Sequence, residues 1–289
     1  MQNVIFIRNE RIASWGYCPV VSVKEAHYAS GWPSTKMSMP LFERFAEDYA
    51  CSRPGYPEEI RSFLFDRFKI DSQSMVADVA CGSGIFTQLL SCKQDLKAVV
   101  GFDQSMPLLR AGVKFYENYD FFPVCGSGEN IPLRSETCDL VTVAQGFHWM
   151  NRAKSLGEIS RVLKPGGGIA LVWYRRKSLT DPHQAFIEDL THKYNPNYDP
   201  RFMDADYVGM LLGDGRFADI GQRRFYSSCT FAPETYIKWQ RSKSFIGDAM
   251  DEEMLEEFLE EVEEKISGFF PDGKIVEDFK YDLIYGRRK

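Results

Sequence analysis

A glycine turn and a carboxylate further along the chain are the residues whose types and spacing most clearly suggest chemistry. Gly82 and Gly84 follow an apolar run and open a helical pattern, and Asp103 ends the next apolar run. Glycines at such a turn let a ligand approach the backbone, and the N–H groups that start a helix attract a negative group. A carboxylate at the end of the neighbouring strand accepts hydrogen bonds from ribose hydroxyls. The pair predicts a nucleoside site, and a plain strand-to-helix turn is the alternative without a function.

The glycines alone do not specify which nucleoside binds. A dinucleotide fingerprint reads G-x-G-x-x-G, and Thr87 stands where its third glycine would be. Asp78 also precedes the turn, inside the apolar run. A nicotinamide-dependent oxidoreductase stays open as an alternative at this point.

The elements that must position these residues alternate between short apolar runs and helical patterns. Such alternation predicts βαβ units in a parallel sheet with right-handed crossovers. Two later runs of alternating polarity predict two more strands, the last of them at the edge of the sheet. The predicted strands are Met75–Ala80, Leu96–Phe102, Phe121–Cys125, Cys138–Ala144, Ile169–Trp173, Gln222–Phe231 and Lys280–Arg288.

Five short motifs accompany this alternation and resemble, in their order, those of class I S-adenosylmethionine-dependent methyltransferases. The motifs are Asp78–Gly84, Gly101–Asp103, Gly126–Leu133, Asp139–Gln145 and Arg161–Gly167. The resemblance implies an α/β fold whose seven-stranded, Rossmann-like, doubly wound sheet is mostly parallel, with an antiparallel C-terminal strand and a helical cap or lid. It also implies S-adenosyl-L-methionine as the cofactor and S-adenosyl-L-homocysteine as the product.

The same resemblance implies cofactor contacts at the ends of these strands. Asp78 would hold the amino group of the cofactor, and Asp103 would bind both ribose hydroxyls. Ser127 stands where an Asp is usual in the family, so the adenine contact there would come from the backbone. The full set is Asp78, Ala80, Gly82, Gly84, Asp103, Gln104, Ser127, Gly128, Glu129, Ala144 and Gln145.

A narrower resemblance involves the trans-aconitate-methyltransferase-like branch, within the methyltransferase type 11 group. It is carried by Tyr49, Arg53–Pro57 and Ala144–Trp149. In that branch the N-terminal segment packs over the cofactor, which implies cofactor or carboxylate contacts for Tyr49 and Arg53. The alternative is that Tyr49 belongs to the core and Arg53 orders a surface turn.

Fewer residues of the sequence indicate where the methyl acceptor binds. His148 follows the fourth strand, at the edge of the sheet where methyl transfer would occur, and its ordinary pKa suits proton removal near neutral pH. The alternative is that His148 and Trp149 only form the pocket wall. Trp173, Tyr174 and Trp239 are further candidates for acceptor binding, and a core position for Trp239 is equally consistent with the pattern. We expect no metal site.

Length, charge and cysteine content restrict the remaining possibilities. The chain has 289 residues and a net charge of −6, which argues against a nucleic-acid partner. Its seven cysteines lack CxxC spacing, which favours a reducing cytoplasm over a disulfide or zinc framework. No apolar stretch reaches the ~20 residues that a membrane span needs. We expect an N-terminal arm or cap at residues 1–40 and a methyltransferase domain at residues 41–289, with an acceptor-covering insertion at about 174–221.

These inferences favour methyl transfer to a small-molecule acceptor through an O, N or C nucleophile, a carboxylate included. The alternative from another class is a cofactor-binding pseudoenzyme or accessory protein, because a lost acceptor site leaves no mark in such motifs. The oligomeric state is not specified by the sequence.

Overall fold

One eight-stranded sheet with helices on both faces makes up the described part of the chain. The computed structural model describes residues 5–6, 42–92, 96–116, 121–176, 181–199 and 205–289. The strands are β1 (Ile5–Phe6), β2 (Met75–Val79), β3 (Ala98–Asp103), β4 (Phe122–Cys125), β5 (Cys138–Ala144), β6 (Leu163–Arg176), β7 (Phe217–Phe231) and β8 (Ile275–Arg288). The helices are α1 (Ala46–Ser52), α2 (Glu58–Phe68), α3 (Ile85–Ser91), α4 (Met106–Phe115), α5 (Arg152–Val162), α6 (Pro182–Tyr194), α7 (Tyr207–Asp214), α8 (Pro233–Arg241) and α9 (Glu252–Phe269).

The strand order is β1-β4-β3-β2-β5-β6-β8-β7. Strands β2 to β6 pair in parallel, and β8 runs antiparallel to both β6 and β7. The predicted seven-stranded, mostly parallel sheet with an antiparallel C-terminal strand is therefore confirmed. The two-residue β1 adds an eighth strand, antiparallel to β4. Apart from the backbone of β1, the predicted arm or cap at residues 1–40 lies outside the described residues.

The prediction that the last strand forms the edge of the sheet is wrong. Strand β8 lies between β6 and β7, so β7 forms that edge. The physical reason is that alternating polarity reports which faces of a strand are buried, because side chains project above and below the sheet. Whether a strand has one or two neighbours is decided by backbone pairing in the plane of the sheet, which that alternation does not reveal.

Two apolar layers enclose the central strands, and every residue of β2 and β3 is buried as a result. On one face, Ile60 and Leu64 of α2 belong to the same core as Val76 and Leu140. On the other face, α5 and α7 cover the sheet. This arrangement leaves the carboxyl ends of the parallel strands as the place where a ligand meets the sheet.

A helical cap extends the first of these layers, as predicted. Helices α6, α8 and α9 add buried apolar side chains to it, and α8 also packs against α1. The segment 174–221, where the sequence shows no clear period, contains α6, α7 and the first residues of β7. Among the described helices, none combines the length and apolar character needed to cross a membrane.

Candidate functional site

The glycine turn joins β2 to α3 through a tightly packed backbone. Gly84 adopts a φ of 89°, and a Cβ there would lie 2.4 Å from Cζ of Phe121. Helix α4 rests on the same turn, because a Cβ at Gly112 would lie 2.0 Å from the carbonyl oxygen of Ser83. Only glycine satisfies both positions, so the backbone of the turn stays thin enough for a close approach, and the Tyr49 ring lies over it at Gly82.

Asp103 lies beside this turn, as the sequence predicts. Its Oδ2 accepts a hydrogen bond of 2.8 Å from the backbone N–H of Gly82, and its Oδ1 accepts one of 2.8 Å from Ser105. Burial raises the pKa of Asp103, while these backbone donors act in the opposite direction. The carboxylate retains acceptor capacity beyond its backbone donors, so the group fits a ribose hydroxyl. The ribose contact itself stays a prediction.

Asp78 is fully buried below the turn, and both of its oxygens already have protein partners. Thr87 and Thr142 each donate a hydrogen bond of 2.6 Å to this carboxyl group. Burial raises its pKa to about 7, against the lowering effect of the two threonines. The structure therefore shows that Asp78 connects β2, β5 and α3 through these hydrogen bonds. Its contact with the amino group of a cofactor stays a prediction. Sequence reasoning missed the two threonines, which carry no motif.

The predicted adenine loop is fixed by its own side chains. The hydroxyl of Ser127 hydrogen bonds to the carboxylate of Glu129 and accepts from its backbone N–H. The other oxygen of Glu129 accepts a bond of 2.8 Å from the N–H of Asn151, just before α5. A Cβ at Gly128 would lie 2.8 Å from Sδ of Met150, so a side chain there would require that methionine to move. Because the Ser127 hydroxyl is engaged in this way, the geometry is compatible with an adenine contact from the backbone, as predicted.

The end of β5 packs against the end of β2, and this packing brings further predicted cofactor residues together. A Cβ at Gly146 would lie 2.4 Å from Cβ of Ala80. Gln145 donates a hydrogen bond of 2.9 Å from Nε2 to the carbonyl oxygen of Tyr174. Ala144 faces the pocket described next, whereas Gln104 is exposed beside Asp103.

An aromatic pocket lies between the glycine turn and the cap. Its lining residues are Tyr49, Arg53, Pro54, Tyr56, Cys81, Ile85, Phe86, Ala144 and Tyr174. Arg53 donates to the Tyr174 hydroxyl at 3.3 Å and to the Ser242 carbonyl at 2.7 Å, and its guanidinium lies 4.4 Å from the centre of the Tyr49 ring. The structure thus brings Tyr49, Arg53 and Tyr174 together in one pocket.

Tyr56 and Phe86 are pocket residues that sequence reasoning did not single out. Their rings lie 4.7 Å apart, and Tyr56 also lies 5.8 Å from both Tyr174 and Tyr281. Burial raises the pKa of Tyr49 to about 12 and that of Tyr56 well above its usual value, so both hydroxyls stay protonated. Tyr56 could have been found from its place in the Arg53–Pro57 motif, whereas Tyr281 is brought in only by the sheet.

The other predicted acceptor residues lie away from this pocket. Trp173 and Tyr174 are consecutive in a strand and project to opposite faces, so Trp173 stacks on Tyr207 at 4.1 Å on the far side. Trp239 is buried in the core, parallel to Phe231 at 4.9 Å. Trp149 is 52% exposed. Of the four aromatic residues proposed from sequence, only Tyr174 lines the pocket.

His148 lies on the Trp173 side. Its Nδ1 accepts a long hydrogen bond of 3.5 Å from Nε1 of Trp173. Burial, assisted by the charge of Arg152, lowers its pKa to about 4. The neutral ring that accepts at Nδ1 carries its proton on Nε2. This geometry gives His148 the properties of a wall residue more than those of a base.

Comparison with known proteins agrees with the motifs. Residues 77–171 match the family model described as a methyltransferase domain. An uncharacterised methyltransferase-like protein of Schizosaccharomyces pombe is 31% identical over 224 residues, which cover 75% of this chain and 83% of that protein. A ubiquinone/menaquinone biosynthesis C-methyltransferase of Syntrophotalea carbinolica is 29% identical over 188 residues, covering 61% of this chain and 73% of the relative.

Solved structures agree in fold. A protein assigned as a type II methyltransferase from Anaeromyxobacter dehalogenans superimposes with a TM-score of 0.60 at 16% sequence identity, covering 82% of this chain and 97% of the other. The chain belongs to the class I S-adenosylmethionine-dependent methyltransferases. Its cofactor is S-adenosylmethionine rather than a nicotinamide dinucleotide, and the thin turn beside Asp103 fits that nucleoside.

Proposed function

We propose that this chain transfers a methyl group to a small molecule that binds in the aromatic pocket under the cap. The observation that carries the proposal is the position of that pocket. Cys81 from the glycine turn and Ala144 from the end of β5 form one side of it, and Tyr49, Tyr56 and Tyr174 form the other. The space enclosed by these side chains is only about 10 Å³, room for about one water, so a compact acceptor with an O, N or C nucleophile would have to displace the surrounding rings. The relative named for ubiquinone/menaquinone biosynthesis supports a small-molecule acceptor over a protein or a nucleic acid.

The residues of the chain would then position the cofactor and the acceptor relative to each other. Bound S-adenosylmethionine supplies an already activated methyl group, so positioning of the acceptor and exclusion of water are what the protein must add. Gly82, Gly84 and Asp103 would hold the cofactor, with the backbone of Ser127 at the adenine. The rings of Tyr56 and Tyr174 would orient the acceptor, because buried aromatic side chains offer flat contacts and a polar end.

Arg53 would hold the cofactor side and the acceptor side of the site in fixed relative positions. Its guanidinium links α1 to the Tyr174 hydroxyl of β6 and to the Ser242 carbonyl after α8. His148 would support Trp173 instead of taking a proton. We also propose that residues 41–289 act as one methyltransferase domain in the cytoplasm, with the insertion at 174–221 as part of the acceptor cover.

Transfer of a labelled methyl group tests the proposal. The protein would be incubated with methyl-labelled S-adenosylmethionine and separately with the low-mass, protein and nucleic-acid fractions of a cell extract. We expect label in a low-mass product, formed in equal amount with S-adenosylhomocysteine, and much less product with Tyr56→Ala than with Tyr226→Ala, an exposed tyrosine of β7. Label confined to protein or nucleic acid would refute a small-molecule acceptor.

A further inference from the structure

Helix α1 lies across the glycine turn. We call residues 42–53, which include this helix, the strap. The Tyr49 ring of the strap packs directly on the turn, because a Cβ at Gly82 would lie 3.5 Å from Cε1 of Tyr49 and 3.6 Å from its hydroxyl oxygen. A ligand between ring and backbone would need about 7 Å, since each side of it requires a contact distance of ~3.5 Å. The Tyr49 ring and a ligand on Gly82 therefore exclude each other.

The strap also closes the pocket next to the turn. Arg53, at its C-terminal end, stacks on the Tyr49 ring at 4.4 Å and donates hydrogen bonds to the Tyr174 hydroxyl and the Ser242 carbonyl. The pocket behind these contacts encloses only about 10 Å³, room for about one water. A single element, the strap, therefore closes both the turn and the pocket.

The contact between the strap and α4 is weak. Its buried apolar part consists of small side chains and one leucine: Ala46, Ala50, Leu108 and Ala111. Because alanine has only one methyl group to bury, this contact contributes little stabilisation. A cleft of about 440 Å³ lies beside it, and the ion pair between Glu47 and Lys114 in that cleft is solvent-exposed and adds little. Segments with few buried apolar contacts open at low cost in free energy.

Polar contacts with α8 and the turn that follows it hold the strap closed. The Asp48 carboxylate pairs with Arg241 at 2.6 Å, and the N–H of Phe42 donates a hydrogen bond of 2.9 Å to Oδ2 of Asp248. We call these two contacts the latch. Phe42 adopts a φ of 69°, a left-handed conformation that costs energy for a bulky side chain and persists only where its surroundings enforce it. Such strained residues occur at clamps and switches, so the latch indicates an element with two positions.

We propose that the strap is autoinhibitory: in the closed position Tyr49 takes the place of the cofactor on Gly82, and binding of S-adenosylmethionine shifts the strap outward by one ligand layer, ~3.5 Å. The latch contacts of 2.6 and 2.9 Å do not survive such a shift. Gly55 provides the pivot, because it is exposed and a Cβ there would meet no other group within 4 Å. Arg53 transmits the shift to the pocket, which opens for the acceptor. The inference rests on the proposed function, because the cofactor contact at Gly82 belongs to it.

Loss of the latch should strengthen cofactor binding. A closed strap reduces the apparent affinity in proportion to the fraction of open molecules, so a less stable closed state raises that affinity. We expect Asp48→Asn to raise the affinity for S-adenosylhomocysteine at least threefold in calorimetry, and the association rate in stopped-flow fluorescence by a similar factor. Glu47→Gln is the matched control, because it removes the neighbouring charge from an exposed ion pair, and it should change neither value.

The association rate also tests the obstruction by Tyr49. In the unmodified protein the observed rate should level off at high concentrations of S-adenosylhomocysteine, at the rate at which the strap opens. In Tyr49→Ala we expect a rate at least tenfold above this plateau, because no ring then covers Gly82. Tyr226→Ala, at an exposed tyrosine of β7, should keep the plateau.

Two results would overturn the inference. Unchanged or weaker binding of S-adenosylhomocysteine by Asp48→Asn would show that the strap does not compete with the cofactor. A rate that rises in proportion to concentration without a plateau would show that no opening step precedes binding, and this measurement needs only the unmodified protein. If Asp48→Asn fails to fold, Arg241→Gln removes the same ion pair from its other partner. Failure of the unmodified protein to bind S-adenosylhomocysteine would defeat the proposed function instead.

Discussion

The proposed site has a cofactor side and an acceptor side, and the two are built in different ways. The cofactor side comes from consecutive strand ends, and its contacts are largely backbone hydrogen bonds such as that from Gly82 to Asp103. The acceptor side is assembled from side chains far apart in sequence, for example Arg53 and Ser242, which are 189 positions apart. The comparison teaches that one side depends on the shape of a turn and the other on the docking of the cap.

The largest effect should come from adding one methyl group under the turn. Gly112→Ala places a Cβ against the carbonyl oxygen of Ser83, so we expect a loss of about 2–3 kcal/mol in the free energy of unfolding from overpacking. Urea unfolding and titration with S-adenosylhomocysteine would measure the loss of stability and of binding. Gly213→Ala, an open position in α7, should instead be neutral or stabilising by up to about 1 kcal/mol. Equal effects of the two substitutions would contradict a turn held by close packing.

Removal of the Asp103 carboxylate should have the next largest effect. We expect Asp103→Ala to weaken binding of S-adenosylhomocysteine by roughly 1.5–3 kcal/mol, the scale of hydrogen bonds to a charged group. Asp139→Ala is a matched control, because Asp139 accepts from Met75 at the opposite end of β2 and pairs with Lys164. Calorimetry on folded samples would show the difference, and an unchanged affinity in Asp103→Ala would refute the ribose role.

A conservative change of Arg53 should affect methyl transfer more than it affects cofactor binding. We expect Arg53→Lys to lower the rate of methyl transfer about tenfold, ~1.4 kcal/mol of activation free energy, because an ammonium does not reproduce the forked and stacked contacts. Affinity for S-adenosylhomocysteine should change much less. Arg241→Lys, which alters the pair with Asp48 on the outside of the cap, should leave both values nearly unchanged. A larger loss of cofactor affinity than of transfer would place Arg53 on the cofactor side.

The smallest effect should come from His148. Its pKa of about 4 keeps the ring neutral, so we expect His148→Gln to leave the pH dependence of transfer unchanged between about pH 5.5 and 8. A catalytic base would instead lose most of its transfer rate in that variant at every pH in this range.

The lowered pKa of His148 also affects the stability of the fold. Because the folded-state pKa of His148 is below that of the unfolded chain, the unfolded chain binds the proton first, and stability falls as pH drops from about 6.5 toward 4. His148→Gln should therefore lose less stability than the unmodified protein between pH 7.5 and pH 5 in urea unfolding. His192→Gln, at a half-exposed side chain, is the matched control.

The same contrast explains what the sequence could predict. Local periodicity and a short motif were enough for the seven strands from β2 to β8 and for Asp103 beside the glycine turn. The central position of β8, the threonines on Asp78 and the opposite orientations of Trp173 and Tyr174 all depend on tertiary pairing, which no local pattern encodes. The boundary at residue 40 stays a prediction.

A crystal structure with S-adenosylhomocysteine is the most direct test of the central claim that the turn and Asp103 hold the cofactor next to an aromatic acceptor pocket. We expect both ribose hydroxyls within about 2.6–3.2 Å of the Asp103 carboxylate. We also expect the sulfur to face the space between Ala144 and the rings of Tyr49, Tyr56 and Tyr174. A nucleoside bound elsewhere, or a sulfur turned away from that pocket, would contradict it.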